Sequence, residues 1–148
     1  MTKYHATIPQ HLQYSWESQA EQYAYLDTPG INHERHDVGE FGAPNVIDCL
    51  LWRDEAGRLR GILNYYQNDG ELERAGNVNL WVHPDWERRG VGTTLLREAM
   101  QRWPIDLAQQ RYTPKGAAFA ERFENLLVAE GLADGQRRTR ILQEEVDP

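Results

Sequence analysis

The sequence predicts an α+β fold in which a mixed, mostly antiparallel sheet is flanked by helices. Short apolar or alternating runs, typical of strands, occupy the middle of the chain, and turn-forming residues separate them. Longer stretches with apolar residues at helical spacing precede and follow these runs. With 148 residues, of which 40% are hydrophobic, the chain suits one domain, so we expect residues 1–148 to fold as a single unit.

Three consecutive strands are predicted in the central part of the chain. Residues 46–53 form a continuous apolar run, as expected of a central strand that is covered on both faces. The sequence DEAG at 54–57 is typical of a hairpin turn, and residues 58–67 return as the second strand. In residues 77–82 every second side chain is apolar, which predicts the third strand, and Pro84 ends it.

Two helices and a loop surround these strands. Apolar residues at helical spacing predict a helix within residues 9–26. Residues 30–45 are polar and rich in glycine, which indicates a loop. Residues 92–103 present one apolar helix face, and Pro104 stops that helix.

The last part of the chain predicts a third helix between two short strands. Thr113 suits the N-cap of this helix, with Pro114 at its first position, and Gly131 suits its C-cap. Weakly apolar segments at 105–111 and 138–144 predict the strands.

The segment NVNLWVHPDWERRGVGTTLL, residues 77–96, joins the third strand to the following helix through a basic, glycine-containing turn. Such a turn directs several backbone N–H groups to one point beside a helix N-terminus, which is typical of a phosphate or pyrophosphate site. No Lys-Ser or Lys-Thr pair follows the glycines, which excludes a P-loop. Leu95 stands where a dinucleotide-binding fingerprint has its third glycine, which excludes that motif too.

The run V-x-P-x-x-x-x-x-G-x-G-x-x-L-L in this segment resembles the coenzyme A-binding motif of the GNAT superfamily of N-acetyltransferases. Its defined positions in this chain are Val82, Pro84, Gly90, Gly92, Leu95 and Leu96. The family signature Q/R-x-x-G-x-G/A begins with Gln or Arg, whereas this chain has Glu87. The family binds pyrophosphate mainly through backbone amides, and the predicted order of elements from about residue 46 to 130 also resembles its core.

The resemblance implies an N-acetyltransferase that uses acetyl-CoA, or another acyl-CoA, as co-substrate. It also implies a V-shaped splay of the sheet after the third strand, where pantetheine would bond the backbone of Leu80, Trp81 and Val82. The CoA pyrophosphate would bond the amides of the next turn, those of Arg88, Arg89, Gly90, Val91, Gly92 and Thr93. The acceptor amine would attack the thioester directly, which requires its orientation, a route for its proton and a donor to the thioester oxygen.

Few side chains are candidates for the proton transfers. Asn77 and Asn79 share one face of the third strand and can hold a water, while Glu73 lies in the preceding turn, where a solvated hairpin is the alternative. The resemblance implies a Tyr on the last core helix as the acid for the CoA thiolate, but Ala120 occupies that position. Tyr112 is the candidate substitute; the alternatives are that it packs at a strand end and that water protonates the thiolate.

The charge balance and the cysteine content limit the partners and the setting. The formal net charge is −7, which disfavours a broad nucleic-acid surface and favours a neutral or cationic acceptor amine. The chain has no apolar run of membrane length, no signal-peptide pattern and one cysteine, so we expect a cytoplasmic protein without a membrane partner. His33, His36 and Asp37 offer too few ligands for a metal, and we expect none; a solvated loop or acceptor recognition are the other interpretations.

Two other functions stay open on the sequence alone. One is a non-catalytic acyl-CoA-binding or protein-interaction module on the same fold, which the absence of a Tyr at position 120 favours. The other is modification of aminoacyl-tRNA or another nucleic-acid-linked amine. The resemblance also makes a homodimer an option, because members of the superfamily often dimerise.

Overall fold

The structure, a computed structural model, describes residues 4–9, 28–37, 39, 44–70 and 74–146, with the backbone alone from residue 132 onwards. The chain divides into two compact units, one of residues 1–13 and 112–148 and one of residues 14–111. The single domain expected for the whole chain stays a prediction. Of the helix predicted within residues 9–26, only residue 9 is described.

The larger unit contains a four-stranded antiparallel sheet whose strands lie in chain order. The strands are β1 (Gly30–Asp37), β2 (Val46–Arg53), β3 (Leu59–Tyr66) and β4 (Val78–Val82). The three strands predicted from the sequence are confirmed as β2 to β4, and the predicted α+β class is confirmed. The hairpin turn after β2 is confirmed as well, with Asp54 accepting the N–H groups of Ala56 and Arg58, both at 2.9 Å.

The first strand corrects the sequence analysis. The loop predicted for residues 30–45 is wrong over residues 30–37, where β1 pairs with β2 along its whole length. This polar strand is stabilised by its backbone hydrogen bonds to β2 and by contacts between charged side chains. Glu34 and His36 are buried on one face, where the Nε2 atom of His36 lies 3.2 Å from Oε2 of Glu34, and the other face pairs with Asp48 of β2.

The helix after β4, α1 (Val91–Arg102), confirms the prediction for residues 92–103. It covers the sheet face that carries Gly61 and Tyr65, and its own buried side chains are Val91, Leu95, Leu96 and Ala99. The opposite sheet face holds a separate apolar cluster of Ile47, Cys49, Leu51, Ile62 and Tyr66.

The strand predicted at 105–111 is wrong. A short 3-10 helix, Leu107–Gln109, occupies this segment, and the carboxylate of Asp106 caps it by accepting the N–H of Ala108 at 2.9 Å. The side chain of Gln110 accepts the N–H of Val78 at 2.8 Å. A side-chain amide therefore bonds the backbone at the start of β4.

The smaller unit contains the helix α2 (Pro114–Val146). Its predicted start is confirmed, since the hydroxyl of Thr113 accepts the N–H of Gly116 at 3.2 Å. The predicted C-cap at Gly131 and the strand at 138–144 are wrong, because the helix continues through both. An interior glycine costs a helix only about 1 kcal/mol, which neighbouring helix formers outweigh. Among the described residues, no helix is both long and apolar enough to cross a membrane.

Candidate functional site

The connection between β4 and α1 combines a rigid 3-10 turn with two left-handed residues. The 3-10 turn covers Pro84–Trp86, and His83 caps it by accepting the N–H of Asp85 on Nδ1 at 3.0 Å. Arg88 and Gly90 then have φ values of +62° and +82°. Left-handed residues within a turn are typical of concave anion sites, because they direct successive N–H groups to the same side. The left-handed Arg88 is strained by about 1 kcal/mol, and no local signal in the sequence predicts it.

The N-terminus of α1 offers a set of free backbone donors. Its first helical hydrogen bond runs from the N–H of Thr94 to the carbonyl of Gly90, at 3.0 Å. The four preceding N–H groups bond no other described residue; they belong to Gly90, Val91, Gly92 and Thr93. Gly90 makes no side-chain cap and its surroundings are open, so these donors are available to a ligand. Together with the helix dipole they make the turn suitable for an anion.

A glycine of β3 determines how closely the helix approaches the sheet. A Cβ atom built on Gly61 would lie 2.9 Å from the carbonyl oxygen of Trp81 and 3.0 Å from side-chain atoms of both Val91 and Leu95. Only glycine therefore allows the first turn of α1 to rest against β3 and β4. This role of Gly61 was not predicted from the sequence, although an isolated glycine inside a strand pattern signals a close approach of another backbone.

The outer edge of β4 exposes alternate peptide groups. The N–H of His83 bonds the carbonyl of Arg60 at 2.8 Å, so odd-numbered residues of this segment direct their backbone groups towards β3. The N–H of Val78 points the other way, to Gln110. By this alternation Leu80 and Val82 face the open edge, and neither bonds another described residue there. The backbone groups of Trp81, the third predicted pantetheine contact, face β3.

A row of polar side chains crosses the sheet on the face opposite α1. Glu34, Cys49, Asn64 and Asn79 are successive cross-strand partners from β1 to β4. Asn79 donates from Nδ2 to the hydroxyl of Tyr66 at 2.9 Å. Asn64 is 1% exposed, and within the described part of the chain neither its amide oxygen nor its amide nitrogen has a hydrogen-bond partner. An unsatisfied buried amide is costly, so Asn64 is a candidate contact for a polar group of a ligand.

The three predicted catalytic residues differ in where they lie in the chain and in whether the structure describes them. Asn79 lies on β4 beside the candidate CoA contacts. Glu73 lies outside the described residues. Tyr112 belongs to the smaller unit, where its ring meets the edge of Tyr4 at 5.4 Å and its carbonyl accepts the N–H groups of Thr7 and Ile8. The catalytic roles of all three stay predictions.

A charged network on the α1 face was missed by the sequence analysis. Asp48 is fully buried, and its carboxylate binds Nε of Arg35 at 2.9 Å, Nε2 of Gln67 at 2.6 Å and Nε2 of His33 at 2.7 Å. Burial raises the pKa of Asp48, but hydrogen bonds from Arg35, Gln67 and His33 and the charge of Arg35 outweigh it, so the pKa lies below its ordinary value. The signal was present, since a carboxylate inside the apolar run VIDCLLW requires hydrogen-bonding or charged partners.

The histidine-rich segment is therefore part of a strand. Its residues His33 and His36 point to opposite faces of β1 and bond the separate carboxylates Asp48 and Glu34. Within the described part of the chain, no three or more His, Cys, Asp or Glu residues group as metal ligands do.

Comparison with known proteins identifies one family. The model of the acetyltransferase (GNAT) family matches residues 10–111, which is more than half of the chain. Searches of curated proteins and of solved structures returned no significant match. The matched range includes all four strands and α1, and thus the turn with the free N–H groups.

Proposed function

Because the chain belongs to the acetyltransferase (GNAT) family, we propose that it is an N-acetyltransferase that transfers the acetyl group of acetyl-CoA to an amine. The observation that carries this proposal is the set of free N–H groups at Gly90–Thr93, one turn beyond the open edge of β4. An extended chain with amide groups and a diphosphate at its end, as in CoA, is complementary to these two features.

The residues suit CoA in two separate ways. The diphosphate would accept hydrogen bonds from the N-terminus of α1, where Gly90 leaves room and the helix dipole favours negative charge. The amides of pantetheine would add to the edge of β4 as a short extra strand, through the outward N–H and C=O groups of Leu80 and Val82. The thioester would then lie towards the beginning of β4, near Asn79.

The chemistry we propose is a direct transfer. The amine nitrogen forms the new C–N bond, the thioester C–S bond breaks, and the amine loses one proton while the thiolate gains one. A covalent acyl-cysteine is disfavoured because the chain's one cysteine, Cys49, is buried. Burial, together with the charges of Glu34 and Asp48, raises its pKa to about 12, so it is not available as a thiolate nucleophile near pH 7.

On the acceptor side, we propose that the amine approaches over the polar row of Glu34, Asn64 and Asn79. Asn79 would orient the amine or a water that takes its proton, and the unsatisfied amide of Asn64 would bind a further polar group of the acceptor. Glu73 and Tyr112 remain the candidates for general base and general acid. A cationic acceptor also agrees with the net charge of −7.

Isothermal titration with CoA and acetyl-CoA tests the proposal. We expect saturable binding by the wild-type protein and none at millimolar ligand by Gly90→Asp, which puts a negative side chain among the free N–H groups. Gly30→Asp is the matched control, because Gly30 also has positive φ, +91°, and open space around it, but lies on β1. Absence of wild-type binding, or equal binding by both variants, would contradict the proposed site.

The non-catalytic module is the second candidate, supported by Ala120, which is buried where the family places a Tyr. Release of free thiol from acetyl-CoA, measured with a panel of polyamines, amino acids and peptide amines, distinguishes the two. Amine-dependent release supports the enzyme, whereas CoA binding without release supports the module.

A further inference from the structure

Arg60, the second residue of β3, holds its guanidinium against two indole rings. Its Cζ atom lies 4.2 Å from the ring centre of Trp86 and 5.3 Å from that of Trp52. Arg89 lies over Trp86 as well, at 5.3 Å. We call these four residues the Arg–Trp cluster. Contact with the electron-rich face of an indole keeps a guanidinium in place without neutralising its charge.

The arginines of the cluster form no ion pair with a described carboxylate, although Asp85 and Glu87 flank Trp86 in the sequence. The buried Nε atom of Arg60 has no hydrogen-bond partner among the described residues. By contrast, Arg35 pairs with Asp48 and Arg102 pairs with Glu98. Two adjacent guanidinium groups without an ion pair among the described residues, in a protein of net charge −7, favour a site for an anion.

The cluster borders the free N–H groups of α1. Trp86 is the last residue of the 3-10 turn, and Arg89 directly precedes Gly90, the N-cap of α1. The carbonyl of Arg60 accepts the N–H of His83, at 2.8 Å, which ties β3 to the start of the same turn. An anion at the cluster would therefore lie next to a diphosphate bound at Gly90–Thr93.

We propose that the Arg–Trp cluster binds a phosphate monoester, the 3′-phosphate of CoA, and so selects CoA over its dephosphorylated form. This inference rests on the proposed function. In CoA the 3′-phosphate and the diphosphate are attached to one ribose, so adjacent sites suit both groups. A monoester carries nearly two negative charges at pH 7, and guanidinium groups bind such oxygens with paired, charge-assisted hydrogen bonds.

The test compares CoA with 3′-dephospho-CoA by isothermal titration of the full-length protein. The two ligands differ only in the monoester. We expect the wild-type protein to bind CoA about 10-fold to 100-fold more tightly, as expected for charged hydrogen bonds. Arg60→Gln and Arg89→Gln should weaken the binding of CoA and leave that of 3′-dephospho-CoA unchanged. Arg89 is exposed, so its replacement does not endanger folding.

Arg102→Gln is the matched control. It removes the same charge at the other end of α1, about 18 Å away for a helix of 12 residues, and should keep the full preference for CoA. Equal wild-type affinities for CoA and 3′-dephospho-CoA would overturn the inference and leave the proposed function standing. Equal affinities are also expected if the cluster binds a phosphate of the acceptor instead. A preference that survives both cluster variants would overturn it too. Failure of both ligands to bind would overturn the proposed function itself.

Discussion

At the scale of single residues, Asp48 illustrates how a charge is accommodated in an apolar strand. Its carboxylate has no contact with solvent, yet three side chains from β1 and the end of β3 supply hydrogen bonds to it. These contacts join the polar strand β1 to the apolar strand β2. Removal of the charge should therefore weaken the sheet where its sequence is least hydrophobic.

We predict that Asp48→Asn lowers the free energy of unfolding by about 1–3 kcal/mol at pH 7. Because the pKa of Asp48 is lowered in the folded protein, its carboxylate stabilises the fold above its ordinary pKa of about 3.9. That contribution is lost as the pH falls through the lower, folded-state pKa. The difference between the two proteins should accordingly be largest at neutral pH and shrink below about pH 4.

Urea denaturation at several pH values measures this dependence. Asp85→Asn is the control, since the side chain of Asp85 is 84% exposed and should contribute little at any pH. A difference between wild type and Asp48→Asn that stays constant down to pH 3 would show that charge at this position does not stabilise the fold.

At the scale of elements, the edge of β4 and the N-terminus of α1 lie at the two ends of one short connection. Gly61 allows the helix to lie against β3, and the short 3-10 turn leads directly from the edge strand to the helix. Both the outward peptide groups of Leu80 and Val82 and the free N–H groups of α1 therefore border one connection. The site is formed by backbone groups, so its properties depend on register more than on side-chain identity.

Proline substitutions along β4 test this register. Leu80→Pro removes an N–H that faces the open edge, so we expect a folded protein whose affinity for CoA falls about 2-fold to 12-fold, as for the loss of one hydrogen bond. Trp81→Pro removes an N–H that faces β3 and should lower the free energy of unfolding by at least about 2 kcal/mol.

Thermal unfolding and CoA titration of both variants provide the measurements, and Leu80→Ala controls for the lost side chain. The opposite result, in which Leu80→Pro unfolds and Trp81→Pro folds normally, would mean that the alternation along β4 is inverted.

At the scale of the whole molecule, the range that the family model matches, residues 10–111, nearly coincides with the larger compact unit, residues 14–111. The match ends at residue 111, where the larger unit ends, so the strands and the candidate CoA site lie within one compact unit. Tyr112 is the first residue of the second segment of the smaller unit. The cofactor side of the proposed reaction is thus contained in the larger unit.

The net charge of the protein predicts that it does not bind nucleic acid. With a net charge of −7 the protein should not bind tRNA, even at a low salt concentration of about 50 mM, where nonspecific attraction to phosphates is strongest. An electrophoretic mobility assay with uncharged and aminoacylated tRNA provides the measurement. Binding that weakens steeply with added salt would instead favour an aminoacyl-tRNA or another nucleic-acid-linked amine as the acceptor.

Features that depend on neighbours along the chain were predictable from the sequence. The strands β2, β3 and β4 follow from apolar periodicity, and the turn with Gly90 and Gly92 follows from its position between strand and helix. The GNAT resemblance depended on that local pattern. Errors arose where the pattern was weak, as in β1, whose polar residues resembled a loop, and in 105–111, which Asp106 caps as a 3-10 helix.

Only the tertiary structure decided which backbone N–H groups and which charged side chains are available to a ligand. Whether an N–H of β4 faces β3 or the open edge depends on strand pairing, and the position of the Arg60 guanidinium depends on its contact with Trp86, 26 residues further along the chain. The hydrogen-bonding partners of the buried Asp48 likewise come from two other segments. The sequence by itself therefore determined the main strands and the position of the candidate anion-binding turn, because these follow from chain-local sterics and periodicity. The availability of donors and charges at that turn depends on contacts between distant residues, which local patterns do not contain.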